Sequence, residues 1–219
     1  MKFRDRQDAG RRLAAELMHL RDLRPVVLAL PRGGVPVGYE VAEALAAPLD
    51  VILVRKIGAP GMPELAIGAI VGGEQRDEVL DERLIAELTV PPSYLAKQIA
   101  AQATEIERRR RLYCEDHPPV PLSGRCAIVV DDGIATGATV RAALLAIRRR
   151  RPSRLVLAAP VAPPQTIERL EPEADEIVCL STPEDFYAIG QFYDDFHQLS
   201  DGEVLASLDR AAHKPGGPQ

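Results

Sequence analysis

The chain reads as an α/β protein: a doubly wound, mostly parallel sheet flanked by helices. Three observations predict this. Short apolar runs alternate with stretches of helical period from the N-terminus to about position 180, the pattern of successive βαβ units. The runs at 26–30 and 126–130 lack the apolar–polar alternation of a half-exposed strand, as expected of strands buried on both faces. Several runs end in loops of small or charged residues, and ligands of open parallel sheets bind beyond the strand carboxyl ends.

Asp5 to Leu20 predicts an amphipathic helix with Leu13, Leu17 and Leu20 on one side. The first strand, at about 25–30, ends in Pro31-Arg32-Gly33-Gly34 and leads to a helix from Val37 to Leu45. Strands follow at about 50–55 and 66–72. Between them Gly58, Pro60, Gly61 and Pro63 predict irregular structure. Glu78-Val79-Leu80 predicts a short strand before a short helix. Ser93 to Tyr113 predicts a long polar helix whose apolar stripe is only Leu95, Ile99, Ile106 and Leu112. A strand at 126–131, a helix from Val140 to about Arg150, a strand from Leu155 to Ala159, a helix after Pro164 and a last strand at 177–180 complete the order.

Composition narrows the function. With 27 basic and 32 acidic residues the net charge is −5, which argues against a general nucleic-acid surface. The basic blocks Arg108–Arg111 and Arg148–Arg151 close helical stretches, where cations complement the helix dipole. No run approaches the roughly 18 apolar residues of a membrane span, and Met1 to Asp5 resembles no signal-peptide core. A cytoplasmic protein without a membrane partner is expected. Cys114, Cys126 and Cys179 lack paired spacing, and His19, His117, His197 and His213 are scattered. Neither a disulfide framework nor a transition-metal site is expected.

The chemistry concentrates in Val129-Val130-Asp131-Asp132-Gly133-Ile134-Ala135-Thr136-Gly137-Ala138-Thr139. A strand feeding a small-residue loop that opens a helix presents unpaired N–H groups and the positive end of a dipole, a seat for phosphate. The Thr136 and Thr139 hydroxyls add donors. Two carboxylates beside an anion seat suit sugar hydroxyls and a magnesium ion, so the expected ligand is a phosphorylated sugar.

This run resembles the phosphoribosyl-diphosphate (PRPP) signature of the type I phosphoribosyltransferases: two apolar residues, two acids, a short variable stretch and Thr-Gly-x-Thr. The resemblance extends over roughly residues 3 to 205. It is similar to a little-characterised branch with the phrases Phe3-x-Asp5-Arg6-x-x-Ala9-Gly10 and Gly190-Gln191-Phe192-Tyr193. It implies one domain over 1–214, with a helical insertion at about 81–115 and a small C-terminal hood, and a disordered tail at 215–219. The insertion would cover the site or build an oligomer interface.

The implied reaction is glycosyl transfer by a pentosyltransferase, with magnesium as cofactor and PRPP plus a nitrogenous small molecule as substrates, as in nucleotide salvage. A homodimer is implied. Asp131 and Asp132 would hold the ribose hydroxyls and metal, and Gly133 with Ala135 to Thr139 the 5-phosphate. Arg32 and Gly33 correspond to the pyrophosphate loop; alone, the phrase also suits a glycine turn with a surface arginine. Arg55-Lys56 resembles the opening of a mobile loop that carries cations to the leaving group, or else a solvated turn. Phe186 and Tyr187 fall where the family builds its base pocket, though aromatic clusters also plug cores.

In 6-oxopurine enzymes of the family the residue before Thr-Gly is an Asp, and here it is Ala135. A 6-oxopurine acceptor is therefore disfavoured, and Glu64 is a substitute base by position alone. A non-catalytic PRPP sensor is the competing class.

Overall fold

The computed structural model describes residues 1–72, 77–114 and 119–212, without the side chain of Glu64. The expected tail at 215–219 lies outside the described residues. Five parallel strands form the central sheet in the order β2-β1-β6-β7-β8: β2 (Leu49–Val51), β1 (Val26–Ala29), β6 (Cys126–Val130), β7 (Arg154–Val161) and β8 (Glu176–Ser181). Every residue of β1 and β6 is buried, which is why these runs are continuously apolar.

On one face α1 (Arg6–Glu16) and α2 (Gly34–Leu45) set Leu13, Leu17, Val37 and Val41 against Val27, Ile128 and Val156. On the other, α5 (Ala138–Arg149) sets Val140, Leu144 and Ile147 against Leu28, Val129 and Leu157. Asp5 starts α1 by accepting the Asp8 N–H at 2.7 Å, a side-chain N-cap. Gly10 lets α1 cross α2 closely, because a Cβ there would lie 2.8 Å from the Val37 carbonyl oxygen.

The single strand expected at 50–55 is divided. β2 stops at Val51, and β3 (Val54–Ala59) begins a second, antiparallel sheet with β4 (Met62–Val71) and β5 (Asp77–Leu80). The stretch around 58–63 is a hairpin rather than an irregular loop. Gly61 takes its turn at φ 71°, where glycine has no steric penalty. Pro63 falls in the bulged part of the β3–β4 ladder, outside the Gly68–Val71 segment that pairs with β5, so its missing N–H sits where the ladder is already irregular. One face of this sheet packs on α5 through Ala69, Val71 and Val79. The other packs on α4 (Pro92–Cys114) and α7 (Asp201–Ala212) through Ile57, Ile67 and Ile70. α3 (Glu82–Glu87) precedes α4, and α6 (Pro164–Leu170) follows β7.

α4 is polar outside its stripe and supports itself with ion pairs. Glu105 accepts from Arg108 and Arg109, and Glu107 from Arg110 and Arg111. The Arg108 and then Arg109 hydrogen bonds hold the Glu105 carboxyl down to about 2, from an ordinary 4.5. A depressed carboxyl stabilises the fold above its unfolded value and stops doing so as pH falls through the folded one. Circular dichroism at low salt is expected to show α4 losing helicity between pH 4.5 and 2, by a small amount because exposed pairs are screened.

Candidate functional site

The carboxyl ends of β1, β6 and β7 meet at one edge of the sheet. From β1, Pro31 to Gly33 turns into α2 with a cis Pro31–Arg32 peptide. From β6, Asp131 to Gly137 turns into α5. The two loops touch: a Cβ on Gly33 would lie 1.9 Å from Asp132 Oδ2, and one on Gly34 would lie 2.6 Å from the Val130 carbonyl oxygen. These glycines let the Arg32 loop lie directly on the acidic end of β6.

The β6–α5 turn is fixed from behind and open in front. Ile134 N–H bonds the Val161 carbonyl at 2.9 Å. Thr166 of α6 donates to the Ala135 carbonyl at 2.7 Å, and Arg169 Nη2 donates to Thr166 Oγ1 at 3.2 Å. Gly137 begins α5 at φ 79° and offers no side-chain cap. The N–H groups of the first turn thus lack intrahelical acceptors, while Ala135 and Thr136 are exposed, Ala138 and Thr139 half-buried, and Gly133 and Gly137 buried. A cleft of about 640 Å³ runs from Thr136, Gly137 and Ala138 past Arg141 and Arg169 to the antiparallel sheet.

The two carboxylates differ. Asp131 is half-buried, and one of its oxygens accepts the Asp132 N–H at 2.9 Å. Asp132 is buried and bonded to Arg6 Nε at 2.7 Å. Burial is the largest influence on each and raises both. Arg6 opposes the rise at Asp132, whereas the Asp132 charge adds to it at Asp131, so Asp131 is raised further.

Arg32 Nη1 lies 3.9 Å from Asp201 Oδ1 at the start of α7. Tyr113 of α4 donates a short hydrogen bond to the same Asp201 oxygen. Arg55 Nε bonds Gln102 of α4 at 3.0 Å. Arg55 is paired in register with Ile70, which faces α4, whereas Lys56 is paired with Ala69, which packs towards α5. The two cations therefore point to opposite faces of the sheet. Phe186 packs on Phe192 with centroids 5.4 Å apart, while Tyr187 is 89% exposed. The Glu64 side chain lies outside the described residues.

Sequence reasoning missed Arg6, Thr166, Tyr193 and Asp201. Arg6 and Tyr193 do lie inside the two phrases singled out above, and Tyr193 also falls in the C-terminal aromatic cluster.

Among the described residues no group of three or more His, Cys, Asp and Glu side chains could hold a metal ion. Magnesium does not require such a group, because it keeps several waters and takes phosphate oxygens alongside one or two carboxylates. Asp131, half-buried beside the open turn, is a carboxylate of the kind it would use. No helix among the described residues is long and apolar enough to cross a membrane.

A parallel sheet whose carboxyl edge carries a small-residue turn into a helix, with acids alongside, is the layout of α/β proteins that take ligands in a crevice beyond the strand ends. The family model for the phosphoribosyl transferase domain matches residues 69–197, and the chain belongs to that family. Two Mycobacterium tuberculosis proteins, from strains CDC 1551 / Oshkosh and H37Rv, are provisionally named phosphoribosyl transferases. Each is 47% identical over 209 residues, 95% of this chain but 47% of the relative. The chain thus spans about half the length of the curated relatives it matches. The TT1426 protein of Thermus thermophilus is a solved structure 46% identical to it, with TM-score 0.82, covering 95% of this chain and 98% of that one.

Proposed function

We propose that the protein transfers ribose 5-phosphate from PRPP to a nitrogenous base with release of pyrophosphate, in a magnesium-dependent reaction. The observation that carries this reading is the β6–α5 turn, open to solvent at Ala135 and Thr136 and braced by Thr166 from behind. Its first-turn N–H groups would hold the 5-phosphate, far from the reacting bond, and so orient C1 for attack. Asp131 would accept hydrogen bonds from the ribose hydroxyls. Arg32 would receive the pyrophosphate, on which charge grows as the C1–O bond breaks. Asp131 and the substrate phosphates would hold the magnesium, which supplies further charge neutralisation at the leaving group.

Ala135 leaves the position before Thr136-Gly137 without an acid, which disfavours a 6-oxopurine acceptor. Tyr187, exposed at the end of the aromatic segment, is the better platform for a base than Phe186, which is committed to Phe192. Cytoplasmic location and a homodimer belong to the same proposal. A panel of nucleobases incubated with PRPP and magnesium, scored by pyrophosphate release, tests it; no release with any base, despite PRPP binding, would favour a sensor. One observation favours that second reading: Arg55, a cation expected at the leaving group, is engaged by Gln102 of α4.

Arg32→Ala is expected to weaken PRPP by about tenfold or more, the size of one charged hydrogen bond, and to leave ribose 5-phosphate nearly unchanged. Calorimetry with both ligands checks it, and equal losses would remove Arg32 from pyrophosphate recognition.

A further inference from the structure

Arginine is almost never fully buried unless it is paired, yet Arg6 is 7% exposed. It sits in the first turn of α1 and reaches the end of β6. Its Nε donates to Asp132 Oδ2 at 2.7 Å, the two side chains being 8% and 10% exposed. Its Nη1 donates to the His197 carbonyl at 3.0 Å, and its guanidinium carbon lies 3.9 Å from the Phe196 ring centroid. The Tyr193 hydroxyl donates to the Asp132 carbonyl oxygen at 2.6 Å. On the remaining side Asp132 Oδ2 meets the Gly33 backbone, where no Cβ fits. Asp132 is therefore enclosed by α1, the C-terminal aromatic segment and the Arg32 loop.

The N-terminal phrase has its explanation here. Phe3 is fully buried and pairs with Tyr193 in an isolated parallel bridge, its N–H bonding the Phe192 carbonyl at 2.8 Å. Asp5 caps the helix, Ala9 joins the aromatic cluster, and Gly10 permits the close crossing with α2. Each of these places Arg6, and the Gly190–Tyr193 phrase supplies the wall opposite.

We infer that Arg6 is a positioning residue that neutralises Asp132 and holds its carboxylate out of the crevice, leaving Asp131 as the single carboxylate presented to the ribose hydroxyls. This rests on the PRPP reading above. The Arg6 contact at 2.7 Å and the Gly33 backbone hold the Asp132 carboxylate in place, and the guanidinium offsets its charge beside a ligand that is itself anionic. A buried pair also does harm when it is broken, because the remaining charge has no partner, and here that charge would lie next to Asp131.

The experiment is calorimetry of PRPP with magnesium on the full chain, for the wild type and for Arg6→Met, Asp132→Asn, Arg6→Met with Asp132→Asn, and Asp131→Asn. Arg6→Met is expected to weaken PRPP by about tenfold or more, and adding Asp132→Asn to recover most of that loss, as for two halves of one charge pair. A double variant no tighter than Arg6→Met overturns the inference, since a role confined to docking α1 would not be rescued by removing a charge. Should Arg6→Met fail to fold, two remaining variants decide. Asp131→Asn is expected to lose about tenfold more affinity than Asp132→Asn, and equal losses would make Asp132 a ligand and overturn the inference. If the wild type binds neither PRPP nor ribose 5-phosphate, the ligand reading itself falls. If it binds both while rescue fails, only the role of Arg6 falls.

Discussion

Asp131→Asn is expected to weaken PRPP binding in the presence of magnesium by about 30-fold or more, since hydrogen bonds to a charged group contribute roughly 1.5–3 kcal/mol each and 1.4 kcal/mol is tenfold in Kd. The amide has nearly the same shape, so a structural cause would be small. Ribose 5-phosphate should lose affinity too, because it presents the same hydroxyls; this separates Asp131→Asn from Arg32→Ala. Neutralising the carboxyl also relieves repulsion of the ligand's phosphates, which acts in the opposite direction. An unchanged or tighter Kd by calorimetry would show that hydroxyl contacts to this carboxyl contribute no net affinity, and would overturn its assigned role. The wild type carries a pH signature of the same group. Burial, then the charge of Asp132, raises the Asp131 carboxyl well above its ordinary 3.8. An ionised carboxylate accepts from hydroxyls more strongly than its protonated form, so PRPP affinity should begin to fall at a pH above the usual carboxylate range as the solution is acidified. Asp131→Asn should flatten that profile.

The central sheet was legible because each of its strands carries its own signal. Val26–Ala29 and Cys126–Val130 are buried on both faces and apolar throughout, so period and length suffice. The β6–α5 turn was legible because its strand, small-residue loop and helix start are contiguous in sequence, whereas its braces from Val161 and Thr166 are not. What was not legible depends on contacts that sequence order hides. Asp50 to Val54 reads as one apolar strand, yet the chain changes sheets within it. Ile52 N–H bonds the Ala29 carbonyl at 3.0 Å, and the Leu53 carbonyl accepts the Gly72 N–H at 2.7 Å. No turn residue marks the change, because Ile52 and Leu53 are buried in both roles. The hairpin at 58–63 reads as irregular because Gly and Pro break regular structure, yet here they form the turn and the bulge of an antiparallel pair. Arg6 escaped notice because a single cation on an amphipathic helix ordinarily faces water, and its partner lies 126 positions away.

Gly33→Ala should affect stability and ligand binding together. Sequence alone suggested that Gly33 removes a Cβ from the path of the pyrophosphate. The fold supplies a stronger reason: that Cβ would fall 1.9 Å from Asp132 Oδ2 and 2.3 Å from its Cγ, far inside any contact distance. Asp132 cannot retreat, because Arg6 and Tyr193 hold it. Either the Arg32 loop lifts or the Arg6–Asp132 bond breaks. The first is overpacking, which costs about 1–3 kcal/mol; the second leaves a buried charge unpaired, which costs about 3–5 kcal/mol. A drop within this span in urea-derived stability, with PRPP binding lost by calorimetry, is the expected result. Gly61→Ala is the control. It also places a Cβ on a constrained glycine, at φ 71°, but nothing lies within 4 Å of it, so its cost of about 1–2 kcal/mol is conformational only and PRPP affinity should be unaltered. If Gly33→Ala kept both wild-type stability and PRPP affinity, the Arg32 loop would not rest on the Asp132 carboxyl in solution. The coupling of the Arg32 loop, the acids and the N-terminal helix would then fail with it.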